Sequence, residues 1–368
     1  MSHIAIDARI ISSSTGRYVE RLIHYLEKVD TKNRYTILVR KKDIDFYHPT
    51  NPRFSVKVAD FKDYSFSEQV GFLKLLNKLN ADLVHFCMPQ QPILYTKPHV
   101  TTVHDLTLLK TYNSDKNWLV FRFKQLIGKM VFKIICHTSI KIFVPSKYTK
   151  VSLENYSSAA IGKTILTYEA ADKLQANKTE TYNHPFEKFL LYVGQQSDYK
   201  NIARLAEAHQ MLLKKHPNLG LILVGKINAA VKKNQTHFTK KKYKNIHFTD
   251  FIPDEQRDWL FENCAAYVFP SLMEGFGLPG LEAMQQDAPV ISSNATCLPE
   301  IYGDAAHYFD PYDTKDMARA IGEVLDSKPL RRKLVRKGRL KVNQYSWEMM
   351  ARQTLEGYES ALQELNQN

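Results

Sequence analysis

Short apolar runs alternate with amphipathic stretches of helical spacing along the whole chain, and this alternation limits the fold more than any other feature. A run of four to six apolar residues is too short for a buried helix. It reads instead as a strand covered on both faces, and strands of that kind separated by helices form a parallel sheet. In the first half the runs are Ile4–Ile6, Tyr35–Val39, Leu83–Phe86, Val100–Val103 and Lys141–Val144. Helical spacing covers Arg17–Val29, Phe66–Leu79 and Trp118–Lys141. A second series has strands at Phe189–Val193, Leu221–Val224, Ile246–Phe248, Tyr267–Phe269 and Val290–Ser292. Its helices are expected at Asn201–Lys215, Asp254–Cys264, Pro279–Gln286, Thr314–Asp326, Leu330–Val342 and Trp347–Leu365.

Between the two series the stretch Glu169–Glu187 is polar and lacks periodicity, as a linker would. A chain of 368 residues suits two domains. The expected boundaries are 1–170 for the first, 171–187 for the linker and 188–346 for the second. Each half reads as a doubly wound α/β domain, and two such domains facing each other make a central cleft. Ligands in these sheets bind beyond the carboxyl ends of the strands, which points to the loops after Ile6, Val103, Val193, Val224 and Phe269.

The charge balance asks for an anionic partner. Lys and Arg number 51 and Asp and Glu 38, a net charge of +13. Nucleic acid, a phosphorylated ligand or an anionic membrane would each answer it. Aromatic residues are not interleaved with basic ones as on a nucleic-acid-binding sheet, so nucleic acid is not expected. The four cysteines, Cys87, Cys136, Cys264 and Cys297, form no CxxC pair and read as buried reduced thiols. The first residues do not read as a secretory leader, and no stretch approaches 18 apolar residues, so a cytoplasmic protein is expected.

The segment from Phe269 to Met284 is the most informative. A strand ends at Pro270, glycines follow at Gly275 and Gly277, and Pro279 suits the first position of a helix. Unpaired backbone N–H groups at such a helix start make an anion site. Glu274 lies before the glycines and Glu282 in the first helical turn. A carboxylate accepts two hydroxyl hydrogen bonds, so these two can hold vicinal sugar hydroxyls on either side of a phosphate. The plainer alternative makes Glu282 a helix-dipole glutamate and the glycines a turn. His104, at the end of a strand and before Asp105, is a second candidate, with Asp105 either orienting it or capping the next segment.

The pattern E-G-F-G-L-P-x-L-E-A-M over Glu274–Met284 resembles the signature of the family 4 retaining glycosyltransferases, enzymes of the two-domain GT-B fold that use nucleotide-sugar donors. Leu191–Gly194 followed by Lys200-Asn201, Leu223–Gly225, Phe251–Asp254, Leu298–Glu300, Gly303–Ala305 and Tyr345–Trp347 fit the same family in the same order. In the first half, Ile6–Arg9, Thr15–Tyr18 and Val103–Leu106 are similar to the branch of bacterial O-antigen mannosyltransferases. The resemblance implies a GT-B fold, with helix 347–368 packing back on the first domain. It implies that Glu274 holds the donor sugar, Glu282 the ribose, and Lys200 the leaving diphosphate. Gly194, Gly275 and the backbone of Phe276, Gly277 and Leu278 would line the donor, and His104 would lie at the reacting centre. Relatives often carry a second cation beside the lysine, where this chain has Tyr199 and Gln195. Gly16 would let the first-domain loop approach the phosphates, although Ser12, Ser13, Ser14 and Thr15 stand where relatives often have another glycine.

The implied reaction transfers a hexose with retention, from GDP-mannose or, second, a UDP-sugar, to a glycan or lipid-linked acceptor in cell-surface polysaccharide synthesis. Gln90, Gln91 and Asp105 are the expected acceptor side. No divalent metal or other cofactor is expected. The competing readings are a sugar phosphorylase or epimerase on the same fold, and a basic nucleic-acid-binding protein. Two basic stretches remain. Residues 116–150 mix Trp118, Phe121, Phe123 and Phe132 with Lys116, Arg122, Lys124, Lys129 and Lys133, a composition suited to the inner face of an anionic membrane. Lys232–Lys244 reads as a solvated loop.

Overall fold

The computed structural model describes residues 1–13, 15–63, 65–110, 118–172 and 179–367, without the side chains of residues 110, 118–121, 123 and 124. The chain divides into two compact units, one of residues 1–109, 124–169 and 346–368, the other of residues 110–123 and 170–345.

In the first unit the elements run β1 (His3–Asp7), α1 (Gly16–Val29), β2 (Arg34–Val39), β3 (Phe54–Val58), α2 (Leu73–Leu79), β4 (Leu83–Phe86) and β5 (His99–Thr102). They continue with α3 (Thr107–Lys110), α4 (Trp118–Thr138), β6 (Ile142–Val144), α5 (Lys147–Tyr156) and β7 (Thr164–Leu166). The sheet order is β3-β2-β1-β4-β5-β6-β7, with every pairing parallel. Ile6 lies opposite Ile37 on one side and His85 on the other. The winding reverses between β1 and β4, so the crevice of this unit opens at the ends of those two strands.

Five strands of this sheet, β1, β2, β4, β5 and β6, are buried along nearly their whole length, hence apolar runs such as Ile37–Val39 and Ile142–Val144. The outer strands β3 and β7 escaped sequence reading because each is partly exposed. The helix expected from Phe66 begins there, but it winds as a π-helix over Glu68–Phe72 before continuing as α2. The helix expected over Trp118–Lys141 and the strand expected after it are both present. The basic and aromatic stretch 118–150 is thus divided among α4, the buried β6 and the start of α5, and Phe132 belongs to the core with Ile135, Val144 and Leu153. Ser14, Lys116 and the side chains of Trp118, Phe121, Phe123 and Lys124, singled out from the sequence, lie outside the described residues. Among the described residues no helix is long and apolar enough to cross a membrane.

The second unit runs β8 (Lys188–Val193), α6 (Ile202–Leu212), β9 (Leu219–Val224), α7 (Ala229–Lys240), β10 (Ile246–Phe248), α8 (Asp254–Asn263) and β11 (Ala266–Phe269). It continues with α9 (Leu278–Gln285), β12 (Val290–Ser293), α10 (Leu298–Tyr302), β13 (Ala306–Phe309), α11 (Thr314–Asp326) and α12 (Lys328–Val342). The parallel order is β10-β9-β8-β11-β12-β13, and here the winding reverses between β8 and β11. The stretch expected as a solvated loop over Lys232–Lys244 is mostly the helix α7. Asn228 caps its start by accepting from the Val231 N–H, and Ala230, Val231 and Phe238 anchor it in the core. The lysines hid that apolar face, which has only three members. All four cysteines are buried free thiols.

The last helix, α13 (Trp347–Gln367), belongs to the first unit. Its buried face is Trp347, Met350, Ala351, Thr354, Gly357, Tyr358 and Ala361, at the spacing that puts one stripe on one side of a helix. Gly357 leaves room for Phe143, since a Cβ there would come within 2.5 Å of that ring. Tyr358 reaches the sheet through a 2.6 Å hydrogen bond between its hydroxyl and His85 Nδ1.

Candidate active site

The reversal between β8 and β11 places two loops side by side, one carrying Gly194 and Lys200, the other Glu274, Gly275, Phe276 and Gly277. After β8 the chain passes Gly194, at φ +142°, and makes a short 3-10 turn over Asp198–Lys200. Asn201, in the left-handed conformation, opens α6. Its amide donates to the carbonyls of Pro270 (3.1 Å) and Pro311 (2.8 Å), while the Tyr199 carbonyl accepts from Leu272 N–H at 2.8 Å. These bonds fix the Lys200 loop to the loop that follows β11. Ser293 Oγ donates to Ser271 carbonyl at 2.6 Å, and Thr296 Oγ1 accepts from Glu274 N–H at 3.2 Å, so the second loop is held from the other side as well.

Lys200 and Glu274 meet within this frame, Nζ to Oε1 at 2.5 Å, with both side chains largely buried. Burial alone would lower the Lys200 ammonium. The Glu274 carboxylate outweighs it and, with Tyr199 and Tyr192, raises the group well above its ordinary value. The lysine is therefore a fixed cation. Its Nζ lies 5.1 Å from the centre of the Tyr199 ring, one of the two positions where a second cation was sought. The other, Gln195, uses its backbone carbonyl to accept from the Tyr192 hydroxyl.

Gly277 is the N-cap of α9 at φ +92°, a conformation that favours glycine. A Cβ would lie 2.6 Å from Leu298 Cδ2 and from the Tyr302 hydroxyl. That hydroxyl donates to the Gly277 carbonyl. Glycine has no side chain with which to cap the helix, so its first N–H groups remain suited to an anion. Leu278 takes the first helical position and Pro279 the second, and Glu282 falls in the second turn rather than the first. That moves Glu282 away from the strongest part of the helix dipole and weakens the purely helical explanation of its presence. Phe276 turns its side chain inward, edge-on to Tyr345 at 5.7 Å, and is buried together with Gly275.

Arg257 is a residue the sequence reading missed. It lies on α8, pairs with Asp254 and Asp258, and also feels the charge of Glu282. Burial opposes its charged form, and Glu282 leads the groups that raise it. Its i,i+3 and adjacent acidic neighbours give it the look of an ordinary surface pair, so no signal in the sequence set it apart.

In the first unit His104 follows β5. A carbonyl only accepts, so Nε2 donates to Cys87 carbonyl at 3.0 Å. Nδ1 lies 3.4 Å from Glu169, and Tyr18 packs edge-on to the ring at 4.8 Å. Asp105 does not orient the histidine. Its carboxylate accepts from Thr107 N–H at 2.7 Å and so caps α3. Glu169, read as the beginning of a polar linker, is buried and is the carboxylate that faces His104. Gln91 is not offered to a ligand. Its Oε1 accepts from Thr101 and its Nε2 lies 3.4 Å from His99 Nε2, with the side chain buried. Gln90 donates to Glu68 at 3.2 Å. The smallness of Gly16 serves the loop itself, because a Cβ would lie 1.9 Å from the Ile11 carbonyl.

A buried ionic cluster stands beside Gln90. Arg9 forks onto Asp7 (two bonds of 2.8 Å) and reaches Glu68 at 2.9 Å, with its guanidinium 3.9 Å above the Phe72 ring. Glu68 lies on the π-helical stretch that precedes α2, 59 positions from Arg9, so distance in sequence hid the triad.

Residues 175–341 match the family described as Glycosyl transferases group 1. The chain is 32% identical over 183 residues to O-antigen chain mannosyltransferase B of Escherichia coli, covering 49% of this chain and 48% of that protein. It is 27% identical over 278 residues to the serotype-specific mannosyltransferase WbdA of E. coli, covering 72% of this chain and 34% of that protein. The chain thus spans about half and about a third of the lengths of these relatives. Among solved structures, sucrose-phosphate synthase from Thermosynechococcus elongatus superposes with a TM-score of 0.78 at 19% identity, over 98% of this chain and 99% of that one. The likeness establishes the fold: two Rossmann-like α/β domains of the GT-B type.

Proposed function

We propose, from the premise that residues 175–341 are a glycosyl transferases group 1 domain, that the chain is a glycosyltransferase that moves a hexose from a nucleotide-sugar donor to a glycan or lipid-linked acceptor in cell-surface polysaccharide synthesis. GDP-mannose is the first choice of donor, its sugar supported by the mannosyltransferase names of the relatives, and a UDP-hexose the second. The observation that carries the reading is the Lys200–Glu274 pair, set where the winding of the second sheet reverses, with Glu274 on the loop that leads to the uncapped start of α9.

In this reading Glu274 accepts from donor-sugar hydroxyls and Glu282 from the ribose. The first N–H groups of α9 and the Lys200 ammonium take the diphosphate. Breaking the bond from the anomeric carbon to the phosphate oxygen leaves negative charge on that oxygen, and Lys200 is a preformed cation to receive it. The acceptor oxygen attacks on the face from which the diphosphate leaves, through an oxocarbenium-like state, and its proton passes to the departing phosphate oxygen. Configuration is retained. Glu274 is assigned no role as nucleophile in a double displacement, because its Oε1 is engaged by the Lys200 ammonium. His104, held between Cys87 and Glu169, is assigned to the reacting end of the sugar.

A thermal-shift panel of GDP, UDP, dTDP and ADP with their sugar conjugates tests the donor, on wild type and on Glu282→Ala. One nucleotide should raise the midpoint of the wild type by mass action and lose that shift in the variant. The anomeric configuration of the product, read by NMR, tests retention, and an inverted product would overturn it.

A further inference from the structure

The helix α12 concentrates the basic surplus of the chain. Eight of its 15 residues are Lys or Arg and none is acidic, against a net charge of +13 for the whole protein. Its arginines are gathered on one side. Arg331, Arg332, Arg336 and Arg339 line a cavity of about 370 Å³ whose other walls are Cys264, Ala265, Val335 and Pro289, with Asp287 at the rim. Cys264 and Ala265 precede β11 and Pro289 precedes β12. The cavity therefore lies at the amino ends of the strands, the opposite edge of the sheet from Lys200, Glu274 and α9.

Two of the four guanidiniums are already engaged. Arg339 forks onto Asp287, and Arg331 donates to the carbonyls of Val324 and Leu325 at the end of α11. Arg332 and Arg336 have no ion-pair or hydrogen-bond partner among the described residues. The carbonyl contacts leave Arg331 charged, so the single carboxylate offsets only one of four cations. The predominance of arginine is informative, because a planar fork matches two oxygens of a phosphoryl group where an ammonium meets one. The volume falls in the range of small-molecule sites, and the apolar floor suits an organic phosphate better than a bare ion.

We propose that this cavity is a second, non-donor site for a phosphoryl group, gripped by Arg332 and Arg336 and flanked by Arg331 and Arg339. The phosphoryl group comes either from a free phosphate ligand or from an anionic lipid headgroup. The proposal does not depend on the donor reading, since it uses none of the same residues.

The test uses the full chain in three forms: wild type, R332Q/R336Q, and K240Q/K241Q, which removes equal charge from the end of α7. Each is titrated with inorganic pyrophosphate by calorimetry, and each is sedimented with phosphatidylcholine vesicles prepared with and without phosphatidylglycerol. R332Q/R336Q should weaken binding of one probe by about tenfold or more, the loss of one to two charge-assisted contacts, while K240Q/K241Q stays near wild type. Loss in the pyrophosphate arm identifies a free phosphate, and loss in the vesicle arm alone identifies a headgroup. Neither probe binding, both variants losing equally, or R332Q/R336Q binding like wild type would each overturn the proposal. An unchanged GDP-induced thermal shift in R332Q/R336Q shows that the variant is folded and that the donor site is separate. If GDP shifts none of the three forms, coincident far-UV circular dichroism melts supply the folding control, and the donor reading fails without touching this one.

Discussion

Lys200 and Glu274 meet at 2.5 Å although 74 positions separate them, and the carboxylate is the leading support of the Lys200 charge in a largely buried place. Removing one partner strands the other. Lys200→Met and Glu274→Gln should each cost about 3 kcal/mol of stability. The double substitution should recover most of that loss and no transfer activity. Urea unfolding with turnover assays on all three variants separates the structural part of the pair from its chemical part; recovery of turnover in the double variant would remove both residues from the mechanism.

Acid should weaken the fold through two buried histidines. Burial, and secondarily the neighbouring His104, hold His85 down to about 3, while burial holds His209 down to about 4 against the pull of the Leu219 carbonyl. Both take a proton near pH 6.5 in the unfolded chain. Their contribution is complete above that pH and is lost as the pH falls from about 6.5 toward the folded values, by about 1.4 kcal/mol per pH unit for each. Urea titrations between pH 7.5 and 5 measure the slope, and His85→Asn should reduce it by the share of one histidine.

The Tyr358 hydroxyl and Thr102 Oγ1 satisfy the two nitrogens of His85, and Thr102 in turn meets the Tyr18 hydroxyl at 2.9 Å. Tyr358→Phe leaves one buried nitrogen without a partner and should cost about 1–3 kcal/mol. Gly357→Ala should cost a similar amount by pushing α13 away from Phe143. Chemical denaturation reads both, and a neutral Tyr358→Phe would mean that water reaches His85.

Gly277→Ala combines an unfavourable φ with collisions at Tyr302 and Leu298. It should lose about 1–2 kcal/mol from the backbone conformation alone. It should also weaken nucleotide binding more than Gly322→Ala, where a Cβ meets only Leu212 at 3.5 Å. Thermal midpoints with and without nucleotide distinguish the two effects.

The central strands were legible because burial on both faces writes an uninterrupted apolar run, as in Leu190–Tyr192 and Leu221–Val224. Outer strands such as Phe54–Val58 alternate exposure and carry no such run, so they passed unread. The second-unit site was largely readable for a different reason. Glu274, Gly277 and Glu282 sit on one short segment, and Lys200 is brought to it by sheet order. In the first unit the partners of the candidates lie far away in sequence: Glu169 for His104, Glu68 for Arg9, His99 and Thr101 for Gln91. Asp105 looked like the histidine's partner only because it is adjacent, and adjacent side chains on an extended segment point apart.

Tyr358, Gly357 and the rest of the buried face of α13 complete a unit whose other residues end at Glu169. During synthesis the first sheet must therefore wait while the whole second unit is made, about 10–35 s at ~5–20 residues per second. The part of the protein that leaves the ribosome first is the last to finish folding. Over that interval His85 and Phe143 lack their cover, and a nascent chain stalled before Trp347 would present that patch to chaperones.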